Sequence, residues 1–186
     1  MTGKLLRTIR LDPSDTFVFE RAAEPGEWAV PGTFVFMDTD ARTLEGKARV
    51  AFRSGFLGLD SLGWSTLVQI VAASDADRAE AAELLAQKLI DDFGAPDLAV
   101  ARAAAEEEIA FAQSLCDQAE STIIAMHRTD DDGAIRETFR TLRPTEGQRP
   151  ARAFSFLEVE GEGDDETPAD EVDLVGMAKR NVSKVP

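Results

Sequence analysis

Arginine side chains give this sequence its clearest potential for chemistry. Lys47, Arg49 and Arg53 form one basic group, and Arg136 and Arg140 belong to a second. A guanidinium group donates paired hydrogen bonds to carboxylates and phosphates. If the fold brings the two groups together, they could form a pocket for a carboxylate or a phosphate ester. Because the chain has 35 acidic residues, the alternative is that these arginines form ordinary surface ion pairs.

A glycine-rich apolar segment, residues 54–64, is the second candidate. Its three glycines could let the backbone approach a ligand closely. Phe56, Leu57 and Trp64 would then form an apolar wall of the site. The neighbouring Arg53 could pair with an anionic group of the ligand. Alternatively, the glycines mark only a bulge or a buried turn within a strand.

The sequence contains no recognisable set of residues for nucleophilic catalysis. Cys116 and His127 are the only residues of their types. Cys116 falls on the apolar stripe of a predicted helix, which predicts a buried and unreactive thiol. His127 shares strand parity with apolar residues, which favours a structural histidine in the core or at a sheet edge over a catalytic base. Ser61 does not fit the nucleophile elbow, which has glycines two residues before and after the serine, because Leu59 and Gly63 occupy these positions. We therefore assign no catalytic residue.

Metal and nucleotide motifs are not found either. A single histidine and a single cysteine exclude multi-cysteine zinc sites, iron–sulfur sites and paired-histidine sites. The acidic groups at residues 38–40, 75–77 and 130–132 do not follow the spacing of a calcium-binding loop. No glycine-rich phosphate loop ends in lysine and serine or threonine. We expect neither a metal nor a cofactor.

The predicted elements that position these residues describe an α+β fold. Short apolar runs separated by turn residues predict several strands before residue 54, and the alternation over residues 47–53 is typical of a half-buried strand. The apolar run at residues 62–73 predicts a central strand that is covered on both faces. A hairpin at residues 130–133 and a last strand at residues 153–159 are predicted further along the chain.

Two consecutive helices are predicted between these groups of strands. The first covers about residues 75–93 and starts at Ser74, which is a favourable N-cap residue. The second covers about residues 97–119 and is rich in alanine. Apolar residues recur in both helices at steps of three and four. The sequence therefore predicts an antiparallel sheet of about six to eight strands with two consecutive helices packed on one face.

Negative charge is concentrated near the C-terminus of a chain whose net charge is −15. Nine acidic residues occur without an intervening lysine or arginine: Glu158, Glu160, Glu162, Asp164, Asp165, Glu166, Asp170, Glu171 and Asp173. We predict a single α+β domain over residues 1–160 and an acidic, partly mobile tail over residues 161–186. Such a charge repels phosphate backbones and anionic lipid surfaces, so we expect neither a nucleic acid nor a membrane as partner.

The opening of the chain carries a family resemblance. Residues 5–19, LLRTIRLDPSDTFVF, together with residues 28–32, WAVPG, resemble a family of small uncharacterised alphaproteobacterial proteins of unknown function. The resemblance extends over most of the chain. It implies a bacterial, cytoplasmic protein, and it implies no activity, cofactor or catalytic residue. A single cysteine also agrees with a cytoplasmic location.

The leading functional hypothesis is a non-enzymatic accessory or protein-binding module. In this hypothesis Trp28 and the apolar segment at residues 56–64 provide the anchors that a partner would bury. The acidic tail would steer a basic partner protein towards the domain. The alanine-rich second helix could pack within the chain or across a homodimer, so a monomer and a homodimer both stay open.

The alternative hypothesis is a protein that binds a small anionic ligand, or an enzyme of an unrecognised type. Its ligand would be held by Arg53, or by Arg136 and Arg140. In an enzyme, His127 or Asp60 would act as the acid or base.

Overall fold

Eight antiparallel strands form one sheet in the computed structural model, which describes residues 2–143 and 158–160. The strands are β1 (Thr2–Ile9), β2 (Trp28–Val30), β3 (Phe56–Gly58), β4 (Trp64–Ser65), β5 (Leu67–Ser74), β6 (Ile123–Asp131), β7 (Ala134–Arg143) and β8 (Glu158–Glu160). Their order across the sheet is β4-β3-β2-β1-β5-β6-β7-β8. The long strands β1 and β5 therefore lie in the middle of the sheet.

Four α-helices and two 3-10 turns accompany the sheet in the described residues. The helices are α1 (Asp15–Val18), α2 (Gly46–Ser54), α3 (Asp75–Asp91) and α4 (Leu98–Ser114). The 3-10 turns cover Thr33–Phe36 and Ala41–Thr43. The two long helices, α3 and α4, follow each other between β5 and β6 and share the main core with the sheet. The predicted α+β class is confirmed.

Helices α3 and α4 pack against each other in antiparallel directions. Two ion pairs cross between them, Arg78 to Glu106 at 2.7 Å and Arg102 to Glu83 at 2.8 Å. Beneath these pairs, small buried side chains allow the two helices to approach closely. The buried residues are Ala81, Ala82, Leu85, Ala86 and Leu89 on α3 and Ala101, Ala105, Ile109 and Ala112 on α4. The predicted apolar stripes are therefore confirmed over most of their length.

One segment predicted as a strand, residues 47–53, is helical and belongs to α2. An alternation of apolar and basic residues over such a short stretch also fits one face of a helix. Lysine, alanine and arginine, which dominate this segment, are strong helix formers and weak strand formers. The helix buries Ala51 and Phe52 against Phe19 and Phe36 in a second, smaller core cluster.

Other predicted elements differ in length or type. The apolar runs at residues 17–19 and 34–37 contribute to α1 and to the first 3-10 turn rather than to strands. The run at residues 62–73 is divided between β4 and β5, and β5 alternates buried with half-buried side chains instead of being covered on both faces. Helices α3 and α4 end at Asp91 and Ser114, earlier than predicted.

The predicted hairpin between β6 and β7 is confirmed. Its loop consists of Asp132 and Gly133, which both have positive φ angles, 51° and 84°. Positive φ angles at both loop residues are typical of the type I′ turn, whose twist matches that of the flanking strands. Of the predicted last strand, residues 153–159, Glu158 and Val159 belong to β8, and residues 153–157 lie outside the described residues. The predicted acidic tail, residues 161–186, lies outside the described residues, and its boundary stays a prediction.

The N-terminus of α3 has a capping box. The Ser74 hydroxyl accepts a hydrogen bond from the Asp77 backbone amide at 3.2 Å, and the Asp77 carboxylate accepts one from the Ser74 amide at 2.8 Å. We expect Ser74→Ala to lower the free energy of unfolding by about 1 kcal/mol, because the Asp77 amide loses its acceptor. Urea denaturation followed by circular dichroism measures this change. Ser74→Thr keeps the hydroxyl and is the control, so an equal loss in both variants would contradict the capping argument.

Candidate functional site

Strand β6 is longer than its pairing with β5. Only residues 123–125 of β6 pair with β5, through residues 67–69. On its other side, β6 pairs with β7 over its whole length. Helix α2 contacts β6, and the main chain of its residue Phe52 is hydrogen-bonded to the Arg128 side chain of β6. The helix therefore lies beside the part of β6 that β5 leaves unpaired.

An open cavity of about 410 Å³ lies between α2, the second 3-10 turn and this part of β6. We call it the basic pocket. It is lined by Ala41, Arg42, Arg49, Phe52, Arg53, His127, Arg128, Thr129 and Asp130. Four of these residues are arginines, in a chain that carries a net charge of −15. The pocket therefore concentrates positive charge in an acidic protein.

Two of the four arginines have guanidinium groups without a partner among the described residues. Arg49 and Arg53 are exposed and lie one helical turn apart on α2, so their side chains share one face of the helix. Neither guanidinium group has a hydrogen bond or ion pair with any residue that the structure describes. Arg42, in contrast, pairs with Asp40 at 2.9 Å. Available positive charge is thus concentrated on α2.

The charge pattern of α2 does not favour the helix itself. Like charges four residues apart destabilise a helix by about 0.2–0.5 kcal/mol. Lys47, in the first turn, lies near the positive end of the helix dipole, and this turn has no acidic residue to offset it. Only Arg53, in the last turn, interacts favourably with the dipole. The like-charged pair of Arg49 and Arg53 therefore does not add to the stability of α2.

Arg128 forms the inner wall of the pocket and is completely buried. Its Nη1 donates to the Phe52 carbonyl at 2.6 Å, its Nη2 donates to the Pro31 carbonyl at 2.7 Å, and its Nε pairs with Glu137 Oε1 at 3.1 Å. The Phe52 carbonyl is in the last turn of α2, where helical carbonyls lack intrahelical partners. Burial lowers the pKa of Arg128, and the hydrogen bond to Glu137 opposes that change. Arg128 thus holds the pocket together and is not itself free for a ligand.

A group of carboxylates lies behind Arg128. The Thr33 hydroxyl donates a hydrogen bond to Glu137, which also accepts the bond from Arg128. Burial raises the pKa of Glu108 on α4 to about 7, and the nearby carboxylates of Glu137 and Glu107 act in the same direction. Arg128 partly offsets these effects. The buried guanidinium group of Arg128 thus has two carboxylates nearby, those of Glu137 and Glu108. The raised pKa of Glu108 favours its protonated form up to about neutral pH.

The two basic groups identified in the sequence lie on one hairpin and its neighbouring helix. Arg53 lines the basic pocket. Arg136 pairs in register with Thr129, and Arg140 with Ala125. Because cross-strand partners share a face of the sheet, both arginines lie on the face of β6 and β7 that carries Thr129. Arg136 forms an ion pair with Asp131 at 2.5 Å. The arginines of β7 extend the basic surface next to the pocket without lining it.

The apolar site candidates are parts of the core. Phe56, Leu57 and Trp28 are 0%, 1% and 7% exposed, respectively, and Trp64 is half-buried and stacks on Phe36 with 5.3 Å between ring centroids. They are packed by residues of this chain and present little surface to a ligand or partner. The pocket is therefore built without them.

The glycines of the same segment are explained by packing. A Cβ atom on Gly58 would lie 2.5 Å from the Glu27 Oε2 atom, and one on Gly63 would lie 2.5 Å from the Ala22 backbone. Glu27 itself is buried and accepts hydrogen bonds from the Asp60 and Ser61 amides. The segment thus forms β3 and the connection from β3 to β4, and packing accounts for these two glycines.

The structure agrees with the predicted environment of Cys116 and differs from that of His127. Cys116 is buried, and burial raises the pKa of its thiol to about 11, so the thiol is unreactive as predicted. His127 is exposed and lines the basic pocket, whereas the sequence favoured a structural role. The neighbouring Arg128 lies on the buried face of β6. Because successive side chains of a strand point to opposite faces, His127 lies on the open face. Arg128 follows Ile124 and Met126 at every second position of the strand. This spacing was the signal that could have indicated a buried arginine here.

Comparison with known proteins identifies the family. A family model described as a family of unknown function, DUF6505, matches residues 1–155. The chain belongs to this family. The resemblance to an uncharacterised family is therefore confirmed. No curated protein matches the chain, and no solved structure matches it.

Two further observations apply to the described part of this DUF6505 protein. Within residues 2–143 and 158–160, no group of three or more histidine, cysteine, aspartate or glutamate side chains is arranged to hold a metal ion. In the same residues, no helix has the length and apolar character needed to cross a membrane.

Removing the buried guanidinium group should be costly. We expect Arg128→Met to lower the free energy of unfolding by about 3 kcal/mol or more, because Glu137 and two backbone carbonyls lose their partner. Urea denaturation measures the loss. The control is Arg102→Met, which removes an exposed ion pair with Glu83 and should cost at most about 1 kcal/mol. Similar losses in the two variants would contradict the role assigned to Arg128.

The raised pKa of Glu108 makes stability depend on pH. Folding favours the protonated carboxyl, so its stabilising contribution is complete below pH 4.5 and is lost as the pH rises through about 7. Glu108→Gln should therefore be more stable than the unmodified protein at pH 8, by about 1–2 kcal/mol, and equally stable near pH 4.5. Urea denaturation at several pH values tests this expectation. Glu80→Gln on α3 is the control, and pH profiles that stay parallel in all three proteins would exclude the effect.

Proposed function

We propose that the protein is a non-enzymatic module that binds a small anionic ligand in the basic pocket. The observation that carries the proposal is the pair of guanidinium groups of Arg49 and Arg53, which line the same open cavity as His127 and have no partner within residues 2–143 and 158–160. Guanidinium groups prefer carboxylate and phosphate oxygens as acceptors. The ligand is therefore a carboxylate or a phosphate ester.

The size and polarity of the pocket agree with a small molecule. Its volume of about 410 Å³ lies within the range of small-molecule sites. His127 and Thr129 add groups that can donate hydrogen bonds to an anion. Asp130 and the carboxylate of Asp40, which pairs with Arg42, repel negative charge at one side of the site. The anionic group of the ligand is therefore expected on the α2 side of the pocket.

The proposal assigns no acid, base or nucleophile. A catalytic histidine needs a hydrogen-bond partner that orients its ring, and His127 makes no such bond to any residue described in the structure. Asp60, the other acid–base candidate, is exposed and is not among the residues that line the basic pocket. Binding without catalysis requires neither group to be oriented.

A protein-binding module is the second candidate, because large apolar side chains are exposed elsewhere. Leu11, Phe17 and Met37 are 63%, 71% and 70% exposed. They replace Trp28 and the segment at residues 56–64 as the available anchors for a partner protein. Native mass spectrometry of protein purified gently from its host separates the candidates. A stoichiometric second polypeptide, lost in Phe17→Ser, supports this function, whereas a small-molecule adduct supports the basic pocket.

We further propose that the protein acts in the bacterial cytoplasm. The support is the single cysteine, which is free and buried, in agreement with a reducing compartment. The resemblance of residues 5–19 and 28–32 to alphaproteobacterial proteins supports the bacterial origin.

Phosphate binding tests the proposed function directly. We expect inorganic phosphate, titrated at constant ionic strength, to shift the backbone amide NMR signals around Arg49, Arg53 and His127. Arg49→Gln and Arg53→Gln should each weaken binding about tenfold, because each removes one charge-assisted contact. Arg102→Gln causes the same change of charge on α4 and should leave the affinity unchanged. Scattered shifts, or equal affinities in all variants, would refute the proposal.

A further inference from the structure

The central strands β1 and β5 are covered unequally on their two faces. Leu6 and Ile70, which pair in register, are both 0% exposed. On the opposite face of residues 7–9 and 67–71, the side chains are only half-buried. They include Arg7 and Ile9 on β1 and Gln69 and Val71 on β5. This second face is therefore accessible from solvent.

An open cavity of about 510 Å³ lies over this face, and we call it the sheet-face pocket. Its apolar lining includes Ile9, Val71 and Ile123, and its charged lining residues are Arg7 and Arg10. No acidic residue lines it within the part of the chain that the structure describes. Its volume lies within the range of small-molecule sites. The sheet-face pocket shares no lining residue with the basic pocket.

Arg10 has a buried donor without an acceptor. Its Nη2 donates to the Ala23 carbonyl at 2.7 Å, which fixes one end of the guanidinium group. Its Nε is buried and has no hydrogen-bond partner within residues 2–143 and 158–160. A buried N–H group without an acceptor is costly, and native structures pair almost all such groups. A carboxylate oxygen in the pocket would supply the acceptor.

Arg7 is held in one orientation beside the same pocket. Its guanidinium carbon lies 3.6 Å from the centroid of the Trp28 ring, and its Nη1 donates to the Gly26 carbonyl. Neither Arg7 nor Arg10 has a carboxylate partner among the residues that the structure describes. Because the ring and the carbonyl already restrain Arg7, an anion that binds to it orders little additional side chain.

We propose that the sheet-face pocket binds a small amphipathic carboxylate. Its carboxylate group binds to Arg10 and Arg7, and its apolar chain lies along Ile9, Val71 and Ile123. A carboxylate matches the forked donors of a guanidinium group, and the apolar lining removes the chain from water. A ligand without an apolar chain would leave that lining uncovered. The site is separate from the basic pocket, so this inference does not depend on the proposed function.

The surrounding charges favour this occupant and this side of Arg10. In a twofold dimer formed through this face, the same patch of both copies would meet, and Arg7 and Arg10 would face like charges. An adjoining cavity of about 200 Å³ also includes Arg10, but Asp12 and Asp15 line it and repel an anion. The carboxylate group is therefore expected within the sheet-face pocket.

Amide NMR titrations of the full-length protein with octanoate, at constant ionic strength, test the proposal. Octanoate should shift the signals of Ile9, Val71 and Ile123 at lower concentrations than the signals of the basic pocket. Its two controls are 1-octanol, which has the chain without the charge, and acetate, which has the charge without the chain. Both should bind at least about tenfold more weakly, because each lacks one of the two contacts.

Two variants and a matched control locate the contacts. Arg10→Gln should weaken octanoate binding about tenfold, because it removes the charge-assisted contact. Arg21→Gln changes the net charge equally and should leave the affinity unchanged, because Arg21 donates to the Ser61 carbonyl at 3.1 Å outside the pocket. Val71→Thr keeps the branched shape but replaces a methyl group with a hydroxyl, so octanoate should bind about threefold more weakly.

Several results would overturn the inference. Octanoate affinities that are equal in Arg10→Gln and Arg21→Gln, or equal affinities for octanoate and 1-octanol, would do so. If Arg10→Gln does not fold, an unchanged octanoate affinity in Val71→Thr would overturn it instead. Sheet-face signals that change on dilution of the ligand-free protein would assign this face to an interface between copies and would also overturn it.

The outcomes for the two pockets are distinguishable. Octanoate shifts confined to the basic pocket would overturn this inference and support the proposed function. If octanoate shifts the sheet-face signals and phosphate binds nowhere, the inference stands and the proposed function fails.

Discussion

The buried guanidinium group of Arg128 is the constraint on which the arrangement around the pocket depends. A charge without access to water must be paired and fully hydrogen-bonded, because an unpaired buried charge costs several kcal/mol. Arg128 meets this requirement through Glu137 and the carbonyls of Pro31 and Phe52, which belong to three separate segments. The hydrogen bond to Phe52 therefore helps to hold α2 beside β6, together with the packing of Ala51 and Phe52.

The same hydrogen bonds determine which arginines of the pocket are available to a ligand. Arg128 uses its donors on protein groups and stabilises the C-terminal end of α2, where exposed carbonyls would otherwise repel an anion. Arg49 and Arg53 line the cavity from α2, and neither guanidinium group has a partner in the part of the chain that the structure describes. The structural arginine and the two arginines that we propose to bind the ligand are thus different side chains.

Parts of this fold could be predicted because the signals were local. The α3 N-terminus is determined by Ser74 and Asp77, and the β6–β7 hairpin by Asp132 and Gly133, so neighbouring residues were sufficient. The α2 helix could not be predicted from hydrophobic alternation, because the apolar residues 48, 51 and 52 also follow the helical spacing of three and four residues. Helix propensity was the better guide there.

The candidate site was predicted only in part for a different reason. Arg53 was identified by its charge, but the meeting of α2 with His127 depends on where β5 ends relative to β6, which is a tertiary property. Phe56, Leu57 and Trp28 were considered as contact residues because the sequence alone cannot show which apolar side chains the core will cover. Burial of Arg128 likewise requires carbonyls from distant segments.

An anomalous diffraction experiment would test the central claim most directly. Crystals of the full-length protein, soaked in selenate as an analogue of phosphate, would be measured at the selenium absorption edge. The account predicts an anomalous peak at about 4 Å from the guanidinium nitrogens of Arg49 and Arg53, because selenate oxygens at hydrogen-bond distance separate the selenium atom from the nitrogens. Peaks confined to other arginines, with none between these two, would contradict it.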